Sequence, residues 1–197
     1  MDKTTIANLA LSQVGEQTIM SLDESSKNAE ICRLIFDPVL EQVLRGHTWK
    51  CATYRTDLAE TIESPLCGWQ HSYRLPVSPK FIKAIRLFSR KDFTVQGTEI
   101  VTNDGSAQLI YIGKADDMNN YDPLFIRVFY LSLAMEMAYR LVEVGTLQNN
   151  IKVLLDEAWA DARFADACDG TAEMDDTDDW MTARLVSPQN YDKTNIR

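Results

Sequence analysis

The chain has 197 residues, with 29 acidic and 20 basic side chains, a formal net charge of -9 and 45% hydrophobic residues. This length fits one substantial domain or two small ones, and the hydrophobic content is sufficient for a buried core. The acidic balance disfavours a nucleic-acid binder, no apolar run reaches the roughly 20 residues of a transmembrane helix, and the N-terminus lacks the pattern of a secretory signal.

The first predicted helix spans residues 4–14. Its apolar residues recur at helical spacing, Gly15 suits a C-terminal stop, and Thr4 or Thr5 is a weak candidate for the N-cap.

A second predicted helix begins after Ser25 or Ser26 and ends near Gly46. Pro38 lies inside it, and an interior proline removes a backbone hydrogen bond at a cost of about 3 kcal/mol. We therefore expect a kink or break near residues 36–37. The stripe expected to face the core consists of Ile31, Leu34, Ile35, Val39, Leu40 and Val43.

Residues 49–121 predict β structure with loops. The Asp104-Gly105 step, between two apolar runs, predicts a hairpin, and we expect an antiparallel sheet of about four strands. The candidate strands are 49–56, 70–75, 81–88, 92–96, 99–102 and 107–112.

Two further helices are predicted after Asp122. Pro123 suits the first turn of a helix that runs through residues 124–144, is apolar on most sides and ends at Gly145. A fourth helix over residues 147–167 then forms an antiparallel hairpin with it. Its expected inner side consists of Ile151, Leu154, Leu155, Ala158, Trp159, Ala162 and either Phe164 or Ala165.

The last segment, residues 169–197, has a dense acidic run followed by isolated apolar residues. We expect it to be an extended arm that orders on a partner. The predicted fold is therefore α+β, mainly α. A bundle of about four helices (1–48 and 122–168) contains a small antiparallel β-sheet (49–121), inserted between the second and third helices, and carries the C-terminal arm.

The sequence shows no known motif for catalysis or cofactor binding. The sequence has no glycine-rich phosphate loop, HExxH or GxSxG pattern, and the acidic run Asp175–Asp179 lacks the glycine and glutamate of a calcium loop. His47 is expected to make a structural hydrogen bond. The four cysteines (Cys32, Cys51, Cys67 and Cys168) are expected to be reduced and buried. We therefore predict no metal and no cofactor.

Two groups of side chains leave alternatives open. Paired carboxylates near the first loop could in principle hydrolyse a glycan, and clustered aromatic residues could form a ligand platform. Acidic residues are abundant enough for such pairs to arise by chance, and aromatic residues in short strands usually belong to the core. The carboxylates are Glu16, Asp23, Glu24 and Glu30, and the aromatic residues are Trp49, Tyr54, Trp69 and Tyr73.

A set of motifs occurs in a fixed order along most of the chain. It comprises Val14-Gly15-Glu16, Ile19, Ser21–Glu24, Cys32, Asp37, Leu44, His47-Thr48-Trp49, Tyr73-Arg74-Leu75-Pro76, Tyr111, Tyr121-Asp122-Pro123, Leu133-Ala134, Ala138, Trp180 and Arg184. This ordered set resembles the tail tubular protein A family, the head-to-tail adaptor (connector) proteins of podovirus-type bacteriophages.

The resemblance implies a structural virion protein and not an enzyme. Such a protein is made in the host cytoplasm and forms a ring of twelve copies at the head–tail junction. The ring joins the portal protein to the tail nozzle protein, with the tail fibre as a further candidate partner. DNA passes through the channel without specific binding, and no membrane or cofactor is involved. The resemblance also implies that the arm binds the portal, through Trp180, Met181, Arg184, Leu185, Val186 and Tyr191. The alternatives are a peptidoglycan-lytic virion-associated hydrolase and a non-virion binding module.

Overall fold

A computed structural model describes residues 1–61, 65, 68–141 and 145–170. Four helices and six strands confirm the α+β, mainly α class. The helices are α1 (Lys3–Val14), α2 (Lys27–Gly46), α3 (Pro123–Leu141) and α4 (Gly145–Cys168); the strands are β1 (Thr53–Asp57), β2 (His71–Arg74), β3 (Lys80–Leu87), β4 (Phe93–Gln96), β5 (Glu99–Thr102) and β6 (Gln108–Lys114). No helix in these ranges is both long enough and apolar enough to cross a membrane.

Helix α3 lies at the centre of the helical part, where α1, α2 and α4 all pack against it. Its interior residues are buried on several sides, as the near-continuous apolar sequence predicts; they include Phe125, Val128, Phe129, Leu133, Ala134 and Met137. Helix α1 ends at Gly15, whose φ of 76° is the left-handed conformation expected of a helix stop. Its N-cap is Asp2 and not Thr4 or Thr5, because the Asp2 carboxylate accepts the backbone N–H of Thr5.

Helix α2 is continuous through Pro38, so the predicted break does not occur. Ser26 caps it by accepting the backbone N–H of Ala29 at 3.2 Å. Apolar residues on both sides of the proline, including Phe36 and Leu40, are buried in the helical core, where Phe36 meets Phe129 of α3 edge to face at 5.0 Å. We attribute the continuity to this burial, since two large buried side chains contribute more than the roughly 3 kcal/mol that proline costs.

The strands form two three-stranded antiparallel sheets instead of one sheet of about four strands. The first has the order β1-β6-β3 and the second the order β2-β5-β4. The segment before β1 also differs from the prediction, because Lys50–Ala52 forms a short 3-10 helix and the strand begins only at Thr53.

The hairpin predicted at Asp104-Gly105 is absent, because β5 and β6 lie in different sheets. The tight turn lies instead at Gly97, with a φ of 59°, where β4 pairs with β5. The Asp104 loop crosses between the sheets. The Tyr73 hydroxyl donates to the Asp104 carbonyl at 2.7 Å and holds the loop in place.

The first sheet connects two hydrophobic clusters. Ile82 and Ile112 belong to the cluster formed with the helices, whereas Leu109 and Tyr111 pack with Ile100 of the second sheet. The two faces of β6 are therefore both buried, which fixes the sheets relative to the helices.

Helices α3 and α4 are antiparallel, as predicted. Arg127, near the start of α3, donates to Asp161, near the end of α4, at 3.2 Å. Gly145 begins α4, contrary to the expectation that it ends α3. Leu154, expected on the inner side of α4, is 38% exposed, and of the two alternatives Phe164 and Ala165 the first is 74% exposed and the second half-buried. Leu34, expected on the inner side of α2, is 62% exposed.

Candidate functional site

The six residues predicted to bind the portal lie outside the described part of the chain. They are Trp180, Met181, Arg184, Leu185, Val186 and Tyr191, and the acidic run Asp175–Asp179 lies outside it too. The structure describes the chain as far as residue 170, so it includes α4, the helix that precedes this segment. The C-terminal half of α4 is the part nearest to the segment in sequence. We therefore take the contacts of that half-helix as the structural part of the candidate site.

Asp166 attaches the end of α4 to the junction between α2 and β1. Its Oδ1 atom accepts the backbone N–H of Lys50 at 2.8 Å, and its Oδ2 atom lies 3.3 Å from His47 Nε2. The Lys50 ammonium donates in turn to the Ala167 carbonyl at 3.2 Å. His47 thus makes the structural contact predicted for it. A side chain near the end of α4 thus satisfies a backbone N–H just after α2, and the Lys50 side chain satisfies a backbone carbonyl near the end of α4.

An aromatic group packs beside this joint. Trp49 is buried, donates its indole N–H to the Val43 carbonyl at 2.9 Å, and meets Phe125 edge to face at 5.0 Å. Its ring lies 5.3 Å from that of Trp159 on α4, whose other neighbour is the Arg163 guanidinium at 4.7 Å. This group holds α4 against α2 and α3.

The aromatic residues considered as a ligand platform do not converge. Trp49 belongs to the helical core, while Tyr73 belongs to the core between the sheets. Tyr54 is half-buried against that second core, and Trp69 is half-buried in the loop before β2. The core interpretation is therefore correct for Trp49 and Tyr73.

A cluster of charged side chains joins α2 to the first sheet. Glu41 accepts from Lys80 at 2.7 Å and from Lys114 at 3.1 Å, and Lys114 also lies 2.9 Å from Asp37. The hydrogen bond from Lys80, followed by that from Lys114, holds the pKa of Glu41 below its usual value. Burial acts to lower the pKa of Lys114, but Asp37 and Glu41 outweigh it and the net shift is upward. The cluster is structural, since each charge is paired.

The carboxylates considered for glycan hydrolysis serve the loop between α1 and α2. Glu16 accepts from the Asn28 amide at 3.2 Å, and Glu24 accepts from the backbone N–H of Met20 at 2.8 Å. The hydrogen bond from the Ser26 hydroxyl is the main cause that lowers the pKa of Glu24. A general acid of a glycosidase needs a raised pKa, so Glu24 does not fit that role.

One surface cleft, of about 290 Å³, lies on the first sheet. Its lining has no histidine, cysteine or serine and consists of Arg55, Thr56, Asp57, Phe88, Gln108, Leu109 and Ile110. Over the described ranges, no three His, Cys, Asp or Glu side chains are grouped so that they could hold a metal ion.

The cysteines differ in exposure, contrary to the expectation that all are buried. Cys32 is buried, Cys51 is half-buried and Cys168 is exposed, while Cys67 lies outside the described residues. Burial raises the pKa of Cys32 to about 11, so this thiol stays protonated near neutral pH.

Large apolar side chains are exposed on α2 and α4, which the sequence did not predict. Val153 and Phe164 are 57% and 74% exposed on α4, and Leu34 is 62% exposed on α2. The signal was available for α4, because the helical period places Val153 and Phe164 opposite the buried Ile151 and Ala162.

Neither models of known protein families nor curated proteins match this sequence.

Proposed function

We propose that this chain is a structural virion protein, the head-to-tail adaptor of a short-tailed bacteriophage. Twelve copies form a ring that joins the portal to the tail nozzle and lines the DNA channel. The observation that carries the proposal is the ordered set of motifs along the chain. Several of its members have a role in this fold: Gly15 stops α1, Trp49 fills the core, and Pro123 begins α3.

The arrangement around α4 supports a role in portal binding for the segment that follows this helix. Asp166 and Trp159 hold the last turns of α4 to the body, and the apolar residues from Trp180 onward follow in sequence. Large apolar and aromatic side chains are the residues that dominate binding energy at protein interfaces. Each subunit supplies one such segment, and twelve repeated contacts give the ring its avidity.

The acidic balance suits a channel that DNA must traverse. A net charge of -9 per subunit repels the phosphate backbone, because the 29 acidic side chains outnumber the 20 basic ones that non-specific binding would use. DNA is then cargo that slides through the ring and is not retained by it. A ring whose lumen is rich in lysine and arginine would contradict this part of the proposal.

The test is to mix the purified full-length protein with portal rings of the same phage and to count the bound copies by native mass spectrometry. We expect twelve copies per portal ring. The double variant Trp180→Ala/Leu185→Ala should lose binding at least tenfold, since each large interface residue contributes about 1 kcal/mol or more. Thr182→Ala, in the same segment, is the matched control and should bind like the wild type.

Two other outcomes would overturn the adaptor proposal. A protein that stays monomeric and has no affinity for the portal would favour the alternative of a non-virion binding module. A protein that hydrolyses purified peptidoglycan, and loses this activity when one carboxylate is replaced by its amide, is a lytic enzyme.

A further inference from the structure

The end of α4 lies beside the start of the first sheet. Gly170, where the described chain ends, lies against the Lys50 side chain, so close that a Cβ atom at residue 170 would be 3.1 Å from Lys50 Nζ. Lys50 also donates to the Ala167 carbonyl at 3.2 Å. Strand β1 begins shortly after Lys50, at Thr53. The described chain therefore ends next to β1.

Arg55 of β1 is an exposed cation on the same side of the first sheet as α4. Thr53 pairs with Ile112, whose side chain belongs to the helical core. Arg55 lies two positions further along the strand, so its side chain projects from that same face. Helix α4 packs on the same core through Ile151. A segment that follows α4 therefore has Arg55 on its own side of the sheet.

Arg55 borders the cleft of about 290 Å³ on this sheet. The apolar part of the lining includes Ile110 and Phe88, which is 61% exposed, and the one acidic residue of the lining is Asp57. Pockets for small molecules measure about 300–1,000 Å³, so this cleft lies at their lower limit. It is better suited to a few side chains of a bound segment.

The first sheet is basic around the cleft, although the chain as a whole is acidic. Strands β1 and β3 and residues 88–91 carry six basic side chains against the single acidic Asp57. The half-buried Lys83 is one of the six, and four others already have partners: Lys80, Arg86, Arg90 and Lys91. Arg55 has no ion pair or hydrogen-bond partner for its guanidinium within the described ranges. It is therefore the exposed side chain that attracts an acidic occupant.

The acidic run Asp175–Asp179 has the complementary charge. It has four aspartates in five positions, and no basic residue lies between Arg163 and Arg184. Five extended residues span at most about 18 Å, which limits both the separation of Arg55 from Lys50 and the extension of Asp175 from residue 170. The acidic run can therefore reach the cleft within one chain. A short tether gives an effective concentration on the order of 1 mM, so even a weak contact forms.

We propose that the acidic run docks against Arg55 at the cleft of its own chain before assembly. The contact holds Trp180 and the residues after it on the body, and portal binding releases them. The docking itself concerns the chain alone, whereas the release step rests on the proposed function.

Disulfide cross-linking in the full-length chain tests the docking. Gln108→Cys places a thiol in the lining of the cleft, and Thr177→Cys places one inside the acidic run without changing its charge. Cys67→Ser and Cys168→Ser remove native thiols that would compete. The protein is oxidised at low concentration, and peptide mass spectrometry locates the disulfide. The matched control is Val95→Cys with Thr177→Cys, whose first thiol lies on β4 of the second sheet.

We expect a disulfide within one chain that forms about tenfold faster than in the control, because docking raises the local concentration of the two thiols. Equal rates in the two proteins would overturn the proposal. Disulfides that form only between chains, at a rate that rises with protein concentration, would also overturn it, since they would make a second copy the occupant.

Charge reversal tests the part played by Arg55. Arg55→Glu in the cross-linking variant should slow the reaction about tenfold, because it sets like charges together, whereas Arg55→Lys is the matched control and should change little. Adding Asp176→Arg and Asp178→Arg to the Arg55→Glu protein should restore the rate. Added salt should slow the reaction only in proteins with opposite charges at the two places. If Arg55→Glu reacts as fast as its parent, the aspartates do not dock there.

Portal binding separates this inference from the adaptor proposal. In the chain without added cysteines, Arg55→Glu should bind portal rings about threefold more tightly, because a larger fraction of the protein is competent to bind. Unchanged or weaker binding would overturn the release step and leave the adaptor function standing. A cross-link in a protein that does not bind the portal would support the docking and overturn the adaptor function.

Discussion

Gly46 leaves room for Trp159, and filling that room tests the attachment of α4. A Cβ atom at residue 46 would lie 3.0 Å from Cη2 of the Trp159 ring. Favourable carbon–carbon contacts are 3.5–4.0 Å, so the ring must retreat by about half an ångström or more. It has little space to do so, because Trp49 lies on one side at 5.3 Å and Arg163 on the other at 4.7 Å.

The magnitude of Gly46→Ala follows from two opposing effects. Alanine in place of a glycine in the middle of a helix stabilises by about 0.5–1 kcal/mol, and the gain is smaller at Gly46, the last residue of α2. Overpacking against a confined ring costs about 1–3 kcal/mol. We therefore expect a net loss of about 1 kcal/mol in the free energy of unfolding, or a fall of about 2–4 °C in Tm for a protein of this size. Gly145→Ala, at the start of α4 with open space around its Cβ, is the matched control and should be neutral or slightly stabilising.

Chemical denaturation followed by tryptophan fluorescence measures both effects. Trp159→Phe removes the ring atoms that a Cβ at residue 46 would meet. In a double-mutant cycle, Gly46→Ala should therefore cost about 1 kcal/mol less in the Trp159→Phe background than in the wild type. If Gly46→Ala stabilises the protein equally in both backgrounds, the proposed contact between α2 and α4 does not constrain the ring.

Three further predictions concern the rest of the body. Glu41→Gln should cost about 1 kcal/mol near neutral pH. Because the folded-state pKa of Glu41 is lowered, its stabilisation is present above the unfolded pKa near 4.5 and disappears as pH falls through the folded pKa. Unfolding curves from pH 7 to 3 should therefore converge for the two proteins. Gly113→Ala should destabilise by at least 2 kcal/mol in the same assay, since its Cβ would lie 2.8 Å from a ring carbon of Tyr54; equal stability would exclude this clash. Maleimide should label Cys168 in the native protein and Cys32 only after unfolding, as peptide mass spectrometry would show, and rapid native labelling of Cys32 would contradict its burial.

Local rules in the sequence predicted the helices well. A glycine stop at Gly15, a serine cap at Ser26 and a proline in the first turn at Pro123 all have strong local causes, and each occupies the predicted position. At Pro38 the predicted break does not occur, because burial of neighbouring residues outweighs the local cost of proline.

Local rules of this kind do not predict how the strands pair. An Asp-Gly step indicates a turn, but it does not determine whether the strands on either side pair with each other. At Asp104 the flanking strands do not pair, because β5 and β6 belong to different sheets. The Tyr73 hydroxyl holds the loop between them. The exposed apolar residues were misassigned for a different reason. Hydrophobicity alone placed Leu34 and Phe164 among the candidates for an inner stripe, whereas the helical period places both opposite the buried residues of their helices.

The attachment of α4 has a mechanical consequence. Tension that enters the body at residue 170 meets the contacts of Ala167 and Asp166 first. Those of Asp161 and Trp159 lie further back along the same helix. A pull along the helix axis loads these contacts in parallel, in shear, so they must break together. A force perpendicular to the helix axis breaks these contacts one after another. The joint is therefore stiff against axial tension and weak against lateral displacement, so the resistance of α4 to force depends on the direction of that force.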